Sequence, residues 1–428
     1  MLARRRLAEL IIGFNSETRR RRSRLLSSNS GKRFAAVWGN GDFGRLGLGN
    51  LDSQWRPVAC SSFDREILKD IACGGAHTLF LTESGRVYAT GLNNLGQLGI
   101  LEEQGYCTEP VEVRIQKEAV HIAAGYNHSC VVTADGELYM WGMNSSGQLG
   151  LGKRSAKSVC LPTKVNSLDG IVIRRAALGS DHSMAVTDGG KVLSWGDGRS
   201  GRLGHGHESS LLGFLKSTSE YTPRLIKELE GIKVKRIAAG MLHSACVDEN
   251  GAVFIFGERA TNRVSFGDAN KETTPSMIST LLNCEEVSCG GYHTCVLTKG
   301  GDLYSWGSNE NGCLGNGSTS VFHLPEKVEG PFSKSPVSKV SCGWKHTAAI
   351  SGGAIFTWGW GGSHGTFSVD GHSSGGQLVC FSCIYFLVIY AAQLDLLLDL
   401  FRVGRHLMCM LEIYGFVRQS IAVGDGFI

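Results

Sequence analysis

An aromatic residue followed by glycine returns about every fifty residues along this chain. It stands at Trp38-Gly39, Trp141-Gly142, Trp195-Gly196, Phe256-Gly257, Trp306-Gly307 and Trp358-Gly359, with Thr90-Gly91 in the remaining place. Successive glycines are 52, 51, 54, 61, 50 and 52 residues apart. A second element, Gly-x-x-His, ends at His77, His128, His182, His243, His293 and His346. From each histidine to the next repeat glycine is 14 residues five times running, then 13. Two markers held in phase over six periods exclude one irregular core and require a repeat array.

Each unit reads as strands. An apolar run follows the histidine, as in Thr78-Leu79-Phe80-Leu81, and then a turn such as Ser84-Gly85, Asp135-Gly136, Asp188-Gly189, Asn250-Gly251 or Lys299-Gly300-Gly301. Asp-Gly and Asn-Gly suit the positive φ of two-residue hairpins. An alternating strand comes next, for example Glu137-Leu138-Tyr139-Met140-Trp141, and glycine ends it. Loops of the form Gly-Gln/Arg-Leu-Gly follow, at Gly44–Gly47, Gly96–Gly99, Gly147–Gly150 and Gly201–Gly204. Four-stranded units of this length, repeated seven times, predict an all-β, seven-bladed β-propeller, whose radial closure protects strand edges.

Composition agrees. The chain has 58 glycines in 428 residues, roughly twice the usual share, as tight turns require. Its 14 cysteines show no framework spacing and read as reduced, buried thiols. Residues 1–33 carry net +8, so the remainder of this +4 chain is −4. A mildly acidic body disfavours broad, phosphate-driven DNA binding.

Gly-x-x-His-Thr/Ser, Gly-x-Val/Leu-Tyr-x-Trp-Gly and Asn-x-x-Gly-Gln-Leu-Gly together resemble the regulator-of-chromosome-condensation repeat. The match is cleanest at Gly290–Leu297 with Asp302–Gly307, and at Gly125–Val132 with Glu137–Gly150. The resemblance covers about residues 34–378 and implies a seven-bladed, non-catalytic propeller. Two departures stand out. The fifth unit has Phe256-Gly257 for Trp-Gly and Arg263–Gly267 where Gly-Gln-Leu-Gly belongs. After Gly375-Gly376-Gln377-Leu378 an unrelated apolar tail, 379–428, replaces the expected closing strand pair, leaving the last blade incomplete.

No phosphate loop and no local nucleophile–base signature is present, so an enzyme is not expected. Neither is a cofactor or metal: one histidine per blade scatters the ligands around a ring, whereas zinc needs three or four converging on one point. Partner-binding candidates are Trp344 and Lys345 in Gly343-Trp344-Lys345-His346-Thr347, and Trp360; packing between blades is the competing role for each. Family members that sense ultraviolet-B repeat Gly-Trp-Arg-His-Thr in several blades, whereas this chain has one copy with lysine. The remaining candidates, His205, His207 and Phe214, lie in a long loop. From the loop glycine to the next proline, ordinary units span 10 to 12 residues, but Gly204 to Pro223 spans 19.

Residues 1–33 are Arg- and Ser-rich and acid-poor, with Leu7, Leu10, Ile11 and Phe14 on one helical face. That pattern matches an organellar transit peptide; a nuclear address at Arg19–Arg24 is the alternative. The apolar stretch Val379–Leu394 is too short to span a membrane. The expectation is a mitochondrial scaffold for protein or ribonucleoprotein partners in transcript maturation, as the resemblance to plant mitochondrial-type members implies. Guanine-nucleotide exchange on a small GTPase is the alternative, and an ultraviolet-B photoreceptor a more remote one.

Overall fold

The structure, a computed structural model, describes residues 34–360 except 64–65, 102–104, 154, 207–218, 259–270, 331 and 333–334, together with 387–389. The degenerate loop Arg263–Gly267, His207, Phe214, the N-terminal 1–33 and most of the tail lie outside the described residues. Ala35–Leu387 forms one compact unit.

The chain opens with β1 (Phe34–Gly39) and β2 (Gln54–Ala59). Blade 1 follows with β3 (Leu68–Cys73), β4 (His77–Thr82), β5 (Val87–Leu92) and β6 (Tyr106–Val113). Blade 2 has β7 (Ala119–Ala124), β8 (His128–Thr133), β9 (Leu138–Met143) and β10 (Ser158–Lys164). Blade 3 has β11 (Ile173–Leu178), β12 (His182–Thr187), β13 (Val192–Gly196) and β14 (Glu220–Leu225). Blade 4 has β15 (Val234–Ala239), β16 (His243–Asp248), β17 (Val253–Glu258) and β18 (Lys271–Met277). Blade 5 has β19 (Cys284–Cys289), β20 (His293–Thr298), β21 (Leu303–Gly307) and β22 (Phe322–Lys327). Blade 6 has three strands among the described residues, β23 (Val337–Cys342), β24 (His346–Ser351) and β25 (Ala354–Gly359). Within each blade, strands pair with their sequence neighbours. β1 pairs antiparallel with β2, and a short strand, β26, spans Leu387–Ile389. The tail therefore contributes one three-residue strand among the described residues, and no four-stranded closing blade is seen there.

Every residue of β4, β8, β12 and β16 is buried. These strands begin at the repeat histidine, and both of their faces are covered because the core lies between blades. Leu79, Leu81 and Val87 of blade 1 pack with Ile122, Val131 and Trp141 of blade 2, and the same layering links blades 2 and 3 through Leu138, Met140 and Trp195. Outer strands such as β10 are largely solvent-facing, which is why they show the weakest apolar pattern.

The hairpins differ from the sequence expectation. The turn between β8 and β9 is a three-residue loop: Gly136 N–H donates to Thr133 O at 2.9 Å, and Thr133 N–H to Glu137 O at 3.0 Å. Only the glycine has positive φ, 83°, the arrangement of a type I turn followed by a bulge residue. Thr133 Oγ1 accepts from Glu137 N–H at 3.1 Å and locks the turn. In blade 3 the left-handed position is Gly190, φ 80°, rather than Gly189.

Candidate interaction face

The repeat motifs become joints between blades. His77 Nε2 lies 2.8 Å from Ser129 Oγ, His128 Nε2 3.1 Å from Ser183 Oγ, and His182 Nε2 2.8 Å from Ser244 Oγ. The series continues with His243 to Thr294 at 3.0 Å and His293 to Thr347 at 2.9 Å. Four of these five hydroxyls donate onward: Ser129 to Gln97 O at 2.8 Å, Ser183 to Gln148 O at 2.7 Å, Ser244 to Arg202 O at 2.8 Å and Thr347 to Cys313 O at 2.8 Å. A hydroxyl that donates onward accepts from the imidazole, so the histidine tautomer is Nε2–H. The same loop carbonyl also takes the next tryptophan, since Trp141 Nε1–H donates to Gln97 O at 3.0 Å and Trp195 to Gln148 O at 2.9 Å. The Gln-Leu-Gly, Trp-Gly and His-Ser/Thr motifs are thus three parts of one contact.

Glycine in Gly-x-x-His has a packing cause. A Cβ on Gly125 would stand 2.5 Å from the His128 ring and 2.6 Å from Gly179 O of the next blade. Burial holds most of these imidazoles neutral: His77 and His346 fall to about 3, and His128 and His243 to about 4. At His293 burial is overcome by the neighbouring Cys342 and Cys313, and the value rises to about 10.

These joints position a loop face. Trp344 leaves the joint of blade 6 and lies over Gly291 of blade 5, where a Cβ would stand 2.0 Å from its Cδ1. Its ring meets Tyr126 of blade 2 edge-on, 6.0 Å between centroids, so the pair reaches across the axial channel. Trp344 Nε1 is a buried donor with no hydrogen-bond partner among the described atoms. The channel mouth there is a cavity of about 390 Å³, lined by Gly75, Tyr126, Met241, Gly291 and Trp344. Beside it, Leu242, Glu258, Tyr292, Glu310, Asn311 and Lys345 line a recess of about 330 Å³. Lys345 Nζ sits over the Trp360 ring, 5.3 Å from its centroid, and Trp360 N–H donates to Lys345 O at 2.9 Å. Three sequence candidates, Trp344, Lys345 and Trp360, are therefore brought to one face, each half-buried.

His205 is placed elsewhere. Its Nε2 is 3.0 Å from Ser194 Oγ, inside its own blade, and burial lowers its pKa. It anchors the root of the long loop.

The sequence reading passed over one cluster. A ring nitrogen of His293, Cys295 Sγ and Cys342 Sγ lie within 4.8 Å of one another. Although burial opposes ionisation, hydrogen bonding to Cys295 and the neighbouring His293 hold the Cys342 thiol well below its ordinary range. The available signal was positional: both cysteines fall at fixed places in successive repeats, but nothing in one repeat indicates that those places meet.

A family model for the RCC1-like domain matches residues 34–377. This chain belongs to the RCC1-like family. Over 329 residues, 76 % of the chain and 72 % of the relative, this RCC1-like propeller is 33 % identical to the ultraviolet-B receptor UVR8 of Arabidopsis thaliana. It is also 33 % identical to human E3 ubiquitin-protein ligase HERC2 over 295 residues, 67 % of the chain but 6 % of that protein. The ligase named there is thus a far longer protein than the stretch matched. Among solved structures, human WBSCR16 aligns with TM-score 0.63 and 27 % identity over 74 % of this chain and 80 % of its own. Yeast RCC1 (Prp20) bound to Kap60 aligns with TM-score 0.66 and 25 % identity over 77 % and 79 %.

Proposed function

We propose that this protein is a non-catalytic, seven-bladed RCC1-like scaffold that docks a protein or ribonucleoprotein partner on its loop face and acts in mitochondrial transcript maturation. The observation that carries the docking role is the convergence of Trp344 and Lys345 on the 330 Å³ recess, with Trp360 stacked against Lys345. Half-exposed tryptophan beside a cation and two carboxylates, Glu258 and Glu310, has the composition of an interface anchor. The solved complex of an RCC1 propeller with Kap60 supports protein docking as a use of the fold. The mitochondrial assignment rests on the Arg-rich, acid-poor start alone.

The test joins address and face. Residues 1–33 fused to a fluorescent reporter should enter mitochondria, and proximity labelling by the full chain should mark mitochondrial ribonucleoprotein. Lys345→Glu with Trp360→Ala should abolish the labelling without lowering Tm by more than a few degrees. Nuclear accumulation of the reporter would remove the mitochondrial assignment, and labelling untouched by the double variant would remove the face.

A second reading, guanine-nucleotide exchange on a small GTPase, is favoured by the insertion between Gly204 and Pro223, 19 residues where other units have 10 to 12. Its root is fixed by His205 on Ser194, which would let the loop act as a wedge. Labelled-nucleotide release from a panel of small GTPases decides it: no acceleration dismisses exchange.

A further inference from the structure

The joint between blades 5 and 6 differs chemically from the other four joints of its kind. At each one, the residue two places after the histidine packs in the same core layer as the residue before the next blade's Gly-x-x-His glycine. The pairs are Leu79 with Ala124, Cys130 with Leu178, Met184 with Ala239, Ala245 with Cys289, and Cys295 with Cys342. Both members are cysteine only in the last. Register places those two thiols beside the one imidazole, His293, that each joint already contains.

We propose that His293, Cys295 and Cys342 bind one thiophilic metal ion, zinc, which fastens blade 5 to blade 6. The donor atoms lie within 4.8 Å of one another, close to the separations that zinc bonds of about 2.0–2.3 Å impose. Two sulfurs and an imidazole select a soft or borderline ion over calcium or magnesium. Thr347 supplies the outer support that such histidines need: its hydroxyl is held by Cys313 O at 2.8 Å and accepts from His293 Nε2–H at 2.9 Å. That bond leaves Nδ1 as the nitrogen with a lone pair for the metal. These three ligands leave the fourth tetrahedral position to a water molecule. All three ligands bind in their deprotonated forms, so affinity falls as pH falls. The site adjoins the loop-face recess, whose lining includes His293, but its other ligands, Cys295 and Cys342, come from the start of β20 and the end of β23, and the metal titration needs no partner.

The repeats themselves provide fold-compatible variants. Alanine already stands at the Cys295 position in blade 6 (Ala348) and at the Cys342 position in blades 2 and 4 (Ala124, Ala239). Reduced, chelator-stripped full-length protein is titrated with Co²⁺, followed by Zn²⁺. The expected result is one equivalent of cobalt with thiolate charge-transfer absorption and tetrahedral d–d bands, displaced by one equivalent of zinc. Zinc should raise Tm of the wild type. Cys295→Ala and Cys342→Ala should each lose at least about tenfold in zinc affinity and the whole Tm response, whereas Cys130→Ala, buried in another joint, should keep both. The proposal fails if folded wild-type protein shows no cobalt–thiolate band. It fails equally if zinc binds the two variants as tightly as the wild type.

Discussion

His182 Nε2 and Ser244 Oγ lie 2.8 Å apart across the joint between blades 3 and 4, and Ser244 passes its own proton to Arg202 O at 2.8 Å. These atoms are 62 residues apart in the chain, yet they repeat the contact that His77 makes with Ser129. A propeller built this way is held by a relay of side chains in which each blade supplies the donor for the next.

Breaking one relay should cost more than a surface hydrogen bond. Ser183→Ala leaves His128 Nε2–H buried without an acceptor, while Gln148 O keeps Trp195. The expected loss is about 2 kcal/mol, the penalty of a stranded buried donor. Urea unfolding of Ser183→Ala, His128→Ala and the double variant measures it; additive losses would show that the two groups do not interact.

The two kinds of glycine should respond differently to an added methyl group. Gly125→Ala drives a Cβ into Gly179 O at 2.6 Å and the His128 ring at 2.5 Å, so the joint must open, at about 3 kcal/mol or more. Gly152 has φ +93° but nothing within 4 Å. There alanine meets only backbone strain, about 1–2 kcal/mol. Comparing soluble yield and urea midpoints separates the cases, and equal losses would contradict the packing account.

Acid should weaken the ring through its buried histidines. The folded-state pKa values of about 3 for His77 and His346 and about 4 for His128 and His243 lie below the unfolded 6.5. The unfolded chain therefore binds more protons between those limits. Stability is complete above pH 6.5 and drains as pH falls toward 4. At pH 5 each such histidine withdraws about 2 kcal/mol. Tm should fall steeply between pH 7 and pH 5, and a flat profile there would show that the imidazoles titrate normally.

Trp195→Phe imitates the natural Phe256 of blade 4. It keeps the apolar contact and removes the indole bond to Gln148 O, 2.9 Å. Because Ser183 still donates to that carbonyl at 2.7 Å, the loss should be modest, about 1 kcal/mol. A loss of several kcal/mol in chemical denaturation would mean that the ring shape, rather than the bond, fails.

Of the interaction face, Trp344 and Lys345 were legible because they interrupt a motif whose other copies carry Ala76, Asn127, Asp181, Leu242 and Tyr292 before the histidine. Trp344's contact with Tyr126 was not legible, since it spans the channel between blades 2 and 6. His205 read as a loop residue, but its ring turns inward to Ser194. Nothing in the local sequence distinguishes those two directions.

What the sequence by itself determined is everything that lies within one period: strand order, hairpin positions, the glycine that ends each inner strand, and the family. These are set by short-range backbone preferences and by alternation, both written in adjacent residues. Tertiary structure alone decided which positions of successive units face one another. Seating His293, Cys295 and Cys342 within 4.8 Å, or turning Gly-x-x-His into a relay, depends on the rotation from blade to blade. That rotation follows from interdigitated side-chain packing across each joint, between residues about fifty positions apart, and no stretch of a single unit encodes it.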